Sequence, residues 1–359
     1  MKRTKYSLAA LLSFLLIDLV AAGASFAQNL PKFSGLFFGD YYYVLQHDNA
    51  NPVNPTSVYG VSGALQKNLQ AFDYRRIYLT AAYDLAPDFT AQFRLESDPS
   101  ASSLPNGKLS TMIKDAFIDW KNVTDGGDII IGLQGTPQIN MAEGIFGYRP
   151  LEKTIEDLHG VSQSRDLGVS FNQKFSNQFK AGLLVGNNSG NSVPSNKYKA
   201  SYLYLQYNPV RELTILLNGQ YNTQLQVIGG TNHVEYNKIV DLIVNYGTKD
   251  FSIGGQYFLN GINNGLADGG TMKRNGLSLN GWVKLVDKLR LVARYDMYTP
   301  NSDSKNTSYG NSVQNLLLGA LDWSVRKNVH LMPNVEYVSY GLSGSTADLL
   351  ARATFYISF

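Results

Sequence analysis

The 359-residue chain contains no cysteine. That excludes disulfides, thiolate nucleophiles and cysteine metal sites together, and it suits an oxidising compartment where stray thiols are a liability. Charge is scarce as well: 16% of residues are Asp, Glu, Lys or Arg, against about a quarter in ordinary soluble domains. Only four histidines occur, His47, His159, His233 and His330, and they are scattered. There is no His-Glu-x-x-His helix, Gly-x-Ser-x-Gly elbow, phosphate loop or dinucleotide fingerprint. Neither an enzyme nor a cofactor is therefore expected. A hydrolase site assembled across strands is the alternative, because catalytic groups need not be contiguous. Beyond the amino terminus no run approaches the eighteen apolar residues that a spanning helix needs. If this chain crosses a membrane, strands do it.

What is present points the same way. Tyr 23, Phe 17 and Gly 33 are generous counts, and with low charge they suit a wall that has lipid outside and water inside. The amino terminus reads as an export signal covering residues 1–27. Lys2, Arg3 and Lys5 form its basic region, Leu8 to Ile17 its apolar core, and Ser25-Phe26-Ala27 its cleavage pattern. Removing that segment takes Lys2, Arg3, Lys5 and Asp18 from 31 basic and 28 acidic side chains, leaving 28 against 27. A near-neutral balance is no footprint for nucleic acid.

Residues 28–359 read as one all-β domain. In the last strand Ala347, Leu349, Ala351, Ala353, Phe355, Ile357 and Phe359 alternate with Asp348, Leu350, Arg352, Thr354, Tyr356 and Ser358. A one-faced strand ending on Phe resembles the closing strand of outer-membrane barrels, with Phe355, Ile357 and Phe359 as lipid-facing residues read by the assembly machinery. Similar strands recur upstream, such as Phe89, Ala91, Phe93, Leu95 against Thr90, Gln92, Arg94, Glu96. Short turns near Pro87, Thr124–Gly127, 176–177, 208–211, 248–249, 287–288 and 326–328 alternate with longer connections. The latter fall at 46–68, 98–110, 138–163, 187–197, 222–235, 261–272, 299–312 and 341–345. The expected fold is a transmembrane antiparallel β-barrel of about sixteen strands, with short periplasmic turns, long external loops and its last strand pairing with Lys32 to Leu45. Pro333 interrupts one strand, where a bulge is expected. Lys238, Gln314 and Asp322 break the outward row.

From Phe72 to Gly190 a resemblance emerges. Tyr74-Arg75-Arg76, Arg94-Leu95-Glu96, Lys114-Asp115-Ala116-Phe117-Ile118-Asp119-Trp120, Ile131 to Pro137 and Arg165-Asp166-Leu167-Gly168-Val169 follow one another. This order resembles the phosphate-selective porin O and P family. The resemblance implies a sixteen-stranded outer-membrane porin, commonly a homotrimer, in which Ile131 to Pro137 leads into the third external loop. The inward rows, however, are mixed rather than a ladder of arginines. Arg76, Arg94, Lys180, Lys199, Arg290, Arg294 and Arg352 are offset by Glu96, Asp115, Asp119, Asp241, Asp296, Glu336 and Asp348.

The longest connection, 138–163, contains a stretch from Arg149 to Leu158 that reads as a helix opened by Pro150. Leu151, Ile155 and Leu158 share one face, a stripe that an exposed loop does not need. The loop is expected to fold inward and narrow the pore. The candidate constriction residues are Arg76, Arg94, Glu143, Arg149, Glu152, Lys153, Glu156, Asp157, Arg290 and Arg294, loop acids facing wall arginines across a gap. The functional expectation is passive diffusion of small hydrophilic solutes or ions. The alternatives are an anion- or phosphate-selective porin and a barrel scaffold or adhesin; no plug segment reads out before Lys32.

Overall fold

Each alternating stretch has one face for lipid and one for water, and only a closed sheet satisfies its backbone in a bilayer. The computed structural model describes residues 30–50, 65–98, 110–302 and 309–359. The expected leader and the middles of the expected loops at 46–68, 98–110 and 299–312 lie outside the described residues. The first half of the wall is β1 Lys32–Gln46, β2 Gln70–Ala86, β3 Phe89–Ser97, β4 Met112–Thr124, β5 Gly127–Gly135, β6 Arg165–Lys174, β7 Phe179–Gly186 and β8 Ala200–Tyr207. The second half is β9 Leu213–Ile228, β10 Thr231–Gly247, β11 Phe251–Asn263, β12 Met272–Val286, β13 Leu289–Thr299, β14 Gln314–Arg326, β15 Val329–Tyr340 and β16 Asp348–Ser358. Two helices, α1 Pro137–Phe146 and α2 Ile155–Leu158, lie between β5 and β6.

Every strand pairs with its sequence neighbour, and β16 returns to β1, giving a closed antiparallel barrel of sixteen strands. The closing register runs from Leu36↔Ser358 to Val44↔Leu350. Phe359 completes it: its N–H donates to the Gly35 carbonyl at 3.0 Å and its own oxygen accepts the Gly35 N–H at 2.9 Å. Seven connections of two to five residues form one rim, and both described ends of the chain reach it.

The two faces differ as two solvents require. Ile253, Val240, Leu259 and Leu317 are more than half exposed on the outside, an apolar band far larger than a soluble monomer leaves bare. Stacked or tilted aromatic pairs, Phe89–Trp120, Phe175–Phe179 and Tyr246–Phe251, ring the short-turn rim. Exposed Tyr221, Tyr236, Tyr257, Tyr295 and Tyr337 ring the other side, the amphipathic girdles expected at membrane interfaces. Inside, Glu96, Asp241, Glu336 and Thr354 are fully buried.

Four expectations need correction. The connection 222–235 is not a loop, because β9 and β10 stay paired out to Ile228↔Thr231. Only Gly229 and Gly230 turn, at φ 57° and 79°, the left-handed pair that a two-residue hairpin demands. The polar residues of that stretch weaken the lipid signal without breaking the ladder. Pro333 makes no bulge: it faces Ala353 in unbroken register with β16, and β14 keeps one register on either side of it, from Ala320↔Asn334 to Trp323↔Leu331. A missing N–H there costs ladder bonds rather than adding a residue. Gln314 and Asp322 are buried on the inward row of β14, while Leu317, Leu321 and Trp323 face out; only Lys238 stays on the outer face. Lys199 is exposed just before β8 and outside the inward row.

Candidate functional site

Strict alternation puts one of any two adjacent residues outside, yet the interior of this barrel holds Arg75 beside Arg76 and Lys114 beside Asp115. Bulges are the reason. Phe38 faces Arg76 and Gly39 faces Tyr74, so Arg75 is the extra residue of β2. Arg94 faces Asp115 and Leu95 faces Ile113, so Lys114 is the extra residue of β4. Both cations are buried. Between them Glu96 on β3 bridges Arg76 Nε at 2.8 Å and Lys114 Nζ at 2.7 Å. Asp115 likewise holds Arg94 at 3.0 Å and Arg165 at 2.6 Å. Neither Arg75, Lys114 nor Arg165 is found by a period-two reading. The available signal is a run of adjacent charges, Arg75-Arg76 and Lys114-Asp115, which regular pleating cannot place on one side.

The connection between β5 and β6 crosses the interior. Of the helix expected over Arg149–Leu158 only the last four residues form, as α2, and a longer helix that was not expected, α1, precedes it. α1 starts after Thr136 with Pro137 in its first turn and ends at Gly147, whose φ of 80° and N–H bond to Glu143 make a left-handed cap. Its Ala142, with Met141, Ile145 and Phe146, packs on Tyr204, Leu216 and Ile243 of β8, β9 and β10. Residues 147–154 are then extended or turning, and only four residues of α2 follow. Pro150 opens no helix because its carbonyl, with that of Leu151, accepts hydrogen bonds from Arg75. The apolar stripe nevertheless meets the wall, residue by residue. Leu151 packs on Val292, Leu318, Ala320 and Met332. Ile155 packs with Val161 on Ile239, Phe258 and Tyr298. Leu158 packs among Tyr42, Val44, Leu316, Val338, Tyr340 and Leu350.

Seven of the ten candidate residues, Arg76, Arg94, Glu143, Arg149, Glu152, Asp157 and Arg294, form direct ion pairs rather than rows facing each other across a gap. Glu143 meets Arg149 Nε at 2.8 Å, and Asp157 meets the same guanidinium at 3.6 Å. Glu152 lies 4.0 Å from Arg75 and 3.6 Å from Arg352. Burial alone would push the Glu152 carboxyl up, but Arg75 and Arg352 together hold it below the usual carboxylate range. The Lys153 carbonyl accepts a hydrogen bond from Arg294, which also pairs with Asp296. Arg76 is tied to Glu96 and Asp98. Glu152 thus anchors the loop to the wall, and both Glu152 and Glu156 are buried. Burial, with Asp241 beside it, pushes the Glu156 carboxyl well above its ordinary range.

On the short-turn side of the crossing loop lies a chamber of about 910 Å³. Arg94, Arg149, Arg165 and Arg290 supply its cations and Asp115, Glu143 and Asp322 its acids. Arg290 stacks over the Trp282 ring at 4.0 Å, an arrangement that leaves the guanidinium edge for other partners. Tyr148 donates to Asp322 at 3.0 Å, and His330 Nδ1 lies 2.7 Å from the same carboxylate.

His159 closes α2 and stacks on Tyr298 with ring centroids 3.8 Å apart. Burial first, then Arg294 and Arg274, lowers its pKa to about 3. A detached, solvated loop would titrate this ring near 6.5. Detachment therefore takes up a proton between those values, so the contribution of His159 to seating is fully present above pH 6.5 and is lost as pH falls, by up to roughly 1.4 kcal/mol per pH unit. If the barrel conducts, its conductance noise in bilayers is expected to increase more between pH 7.5 and 5.5 for the native protein than for His159→Phe. Equal behaviour of the two proteins would remove His159 from this role.

The wall and its crossing loop define a porin-type barrel. Solved structures share that fold. The outer-membrane channel DcaP of Acinetobacter baumannii matches with a TM-score of 0.67 at 13% identity, covering 93% of this chain and 98% of that one. OprB of Pseudomonas putida gives 0.65 at 11% identity over 95% and 97%. An anion-selective porin from Comamonas acidovorans gives 0.63 at 13% identity over 92% and 100%. At these identities the likeness is one of fold alone. No protein-family model and no curated protein matches the chain.

Proposed function

We propose that this chain is an outer-membrane porin, exported by a cleaved leader, whose water-filled channel passes small hydrophilic solutes or ions passively. The observation that carries this reading is the loop 138–163 seated on the inner wall beside a chamber lined by both signs of charge. Such a loop narrows the lumen without filling it. A lumen lined by charges of both signs favours hydrated polar solutes over lipophilic ones. Its porin-type fold neighbours support the reading, and one of them bears the name of an anion-selective porin. Homotrimer formation is part of the proposal. Purified protein in a planar bilayer should show discrete, ohmic channel openings; a silent bilayer would leave a scaffold or adhesin instead.

A preference for anions is the second reading, favoured by four guanidinium groups against three carboxylates around the chamber. The phosphate-selective variety would need a denser cationic row than these residues form. Arg290 is the most telling position, since its guanidinium is stacked on Trp282 and has no ion pair among the described residues. Removing one unit charge about 4 Å from a passing ion changes its energy by roughly 1 kcal/mol in water, about fivefold in occupancy. Arg290→Ala should accordingly shift the reversal potential toward cations. An unmoved reversal potential would discard Arg290 as a selectivity residue.

A further inference from the structure

The charges that fasten the crossing loop are balanced, with one exception. Glu156 on α2 and Asp241 on β10 are both 0% exposed, and Ile155, next to Glu156, packs on Ile239, two residues from Asp241, and on Phe258, the register partner of Asp241. Among the described residues neither carboxylate pairs with a lysine, arginine or histidine. Both Glu156 oxygens and Asp241 Oδ1 lack a hydrogen bond. Asn218, directly across from Asp241 on β9, donates its Nδ2 to Asp241 Oδ2 at 2.9 Å, while its carboxamide oxygen has no partner. Gln256 on β11 pairs with Ile243, two residues from Asp241 on the same inward row, is 1% exposed, and neither its Oε1 nor its Nε2 completes a hydrogen bond.

Two anions in a dry pocket repel, and each alone costs several kcal/mol to bury. Unsatisfied buried polar atoms in such number demand a partner. Five of these atoms are oxygens without a hydrogen bond on residues around Asp241: two on Glu156 and one each on Asp241, Asn218 and Gln256. Oxygen-only donor sets of carboxylates and carboxamides are what hard divalent cations select. No group of three or more His, Cys, Asp or Glu side chains is placed to hold a metal among the described residues, so the two carboxylates here depend on neutral amide oxygens to complete a shell. We propose that Glu156, Asp241, Asn218 and Gln256 form a binding site for a divalent cation of the calcium class. The ion would neutralise both carboxylates and pin the second helix of the loop to β9, β10 and β11. This site stands whether or not the barrel conducts, since it concerns the seating of the loop.

The test is calorimetric titration of CaCl2 into barrel refolded in detergent without lipopolysaccharide and stripped with EDTA. One saturable site per chain is expected, weakened at least tenfold in Glu156→Gln and in Asp241→Asn, and the native protein should melt higher with calcium than with EDTA. A native barrel without saturable binding, or variants that bind like the native protein, would overturn the site. So would variants that melt above the native protein in EDTA and ignore calcium, because that result assigns the pair a shared proton. Should either variant fail to refold, proteolysis of the native loop between residues 147 and 163 decides: calcium must slow cleavage, and equal cleavage with and without calcium refutes the proposal.

Discussion

Arg75→Met is expected to cost the folded barrel roughly 3–5 kcal/mol, the usual penalty for stripping one partner from a buried ion pair. Arg75 joins three things at once: it pairs with Asp40 at 2.8 Å, approaches Glu152 at 4.0 Å and donates to the carbonyls of Pro150 and Leu151. Methionine fills similar space and supplies none of these bonds. Asp40 is buried, and among the described residues only Thr354 still donates to it directly. The loop then keeps its apolar contacts at Leu151, Ile155 and Leu158 but loses its link to β2. Under the porin reading, single-channel conductance rises and becomes noisy as the loop leaves the wall. Urea unfolding in detergent measures the first effect and bilayer recording the second. Adding Asp40→Asn should return much of the lost stability, because removing both members of a buried pair is far cheaper than removing one. A single variant as stable and quiet as the native protein would refute the anchor.

The second large effect is expected at the seam between first and last strands. Phe359 and Phe355 lay their rings over Gly35 and Gly39 of β1, and a Cβ at those glycines would sit 2.4 Å and 2.9 Å from the respective rings. The two sites differ in what else is near. At Gly39 the Cβ would also meet the Asp73 carbonyl at 2.3 Å and Tyr74 Cα at 2.8 Å, backbone atoms of the bulged strand that have nowhere to go. At Gly35 the main obstacle is the end of a ring that can swing outward. Gly39→Val should therefore abolish the folded species seen as an unheated gel band, while Gly35→Val should only lower its yield. Phe359→Ala is expected to recover Gly35→Val and to do nothing for Gly39→Val. Full yield from Gly39→Val would show that the bulge relaxes and that the seam is not shape-limited.

The architecture was legible because lipid imposes a simple rule on every strand. Alternation from Phe89 to Glu96 or from Ala347 to Phe359 has one reading once no apolar helix is available, and the seven short turns fix the strand count. The interior was harder. Alternation says which residues point inward but not where a bulge adds one, so Arg76 was found while Arg75 and Lys114 were missed. Within the crossing loop, the stripe of Leu151, Ile155 and Leu158 marked the buried residues correctly for a partly mistaken reason. They reach three separate patches of wall, Leu151 from turning backbone and Ile155 and Leu158 from the single turn of α2, not one patch from one continuous helix. Local periodicity cannot distinguish these cases, because carbonyl acceptance by Arg75, a residue some 75 positions away, decides against helix at Pro150.

A β-barrel wall is a single chain thick, and a thin tube yields most easily by going oval. The crossing loop leaves β5, grips β8 to β10, touches β13 to β16 and β1, takes a bond from β2, and returns at β6. Mechanically it is a set of spokes inside a hoop. Lateral pressure from the bilayer then loads the spokes before it deforms the rim, so the cross-section of the chamber is fixed by the protein and stays the same from one lipid to another.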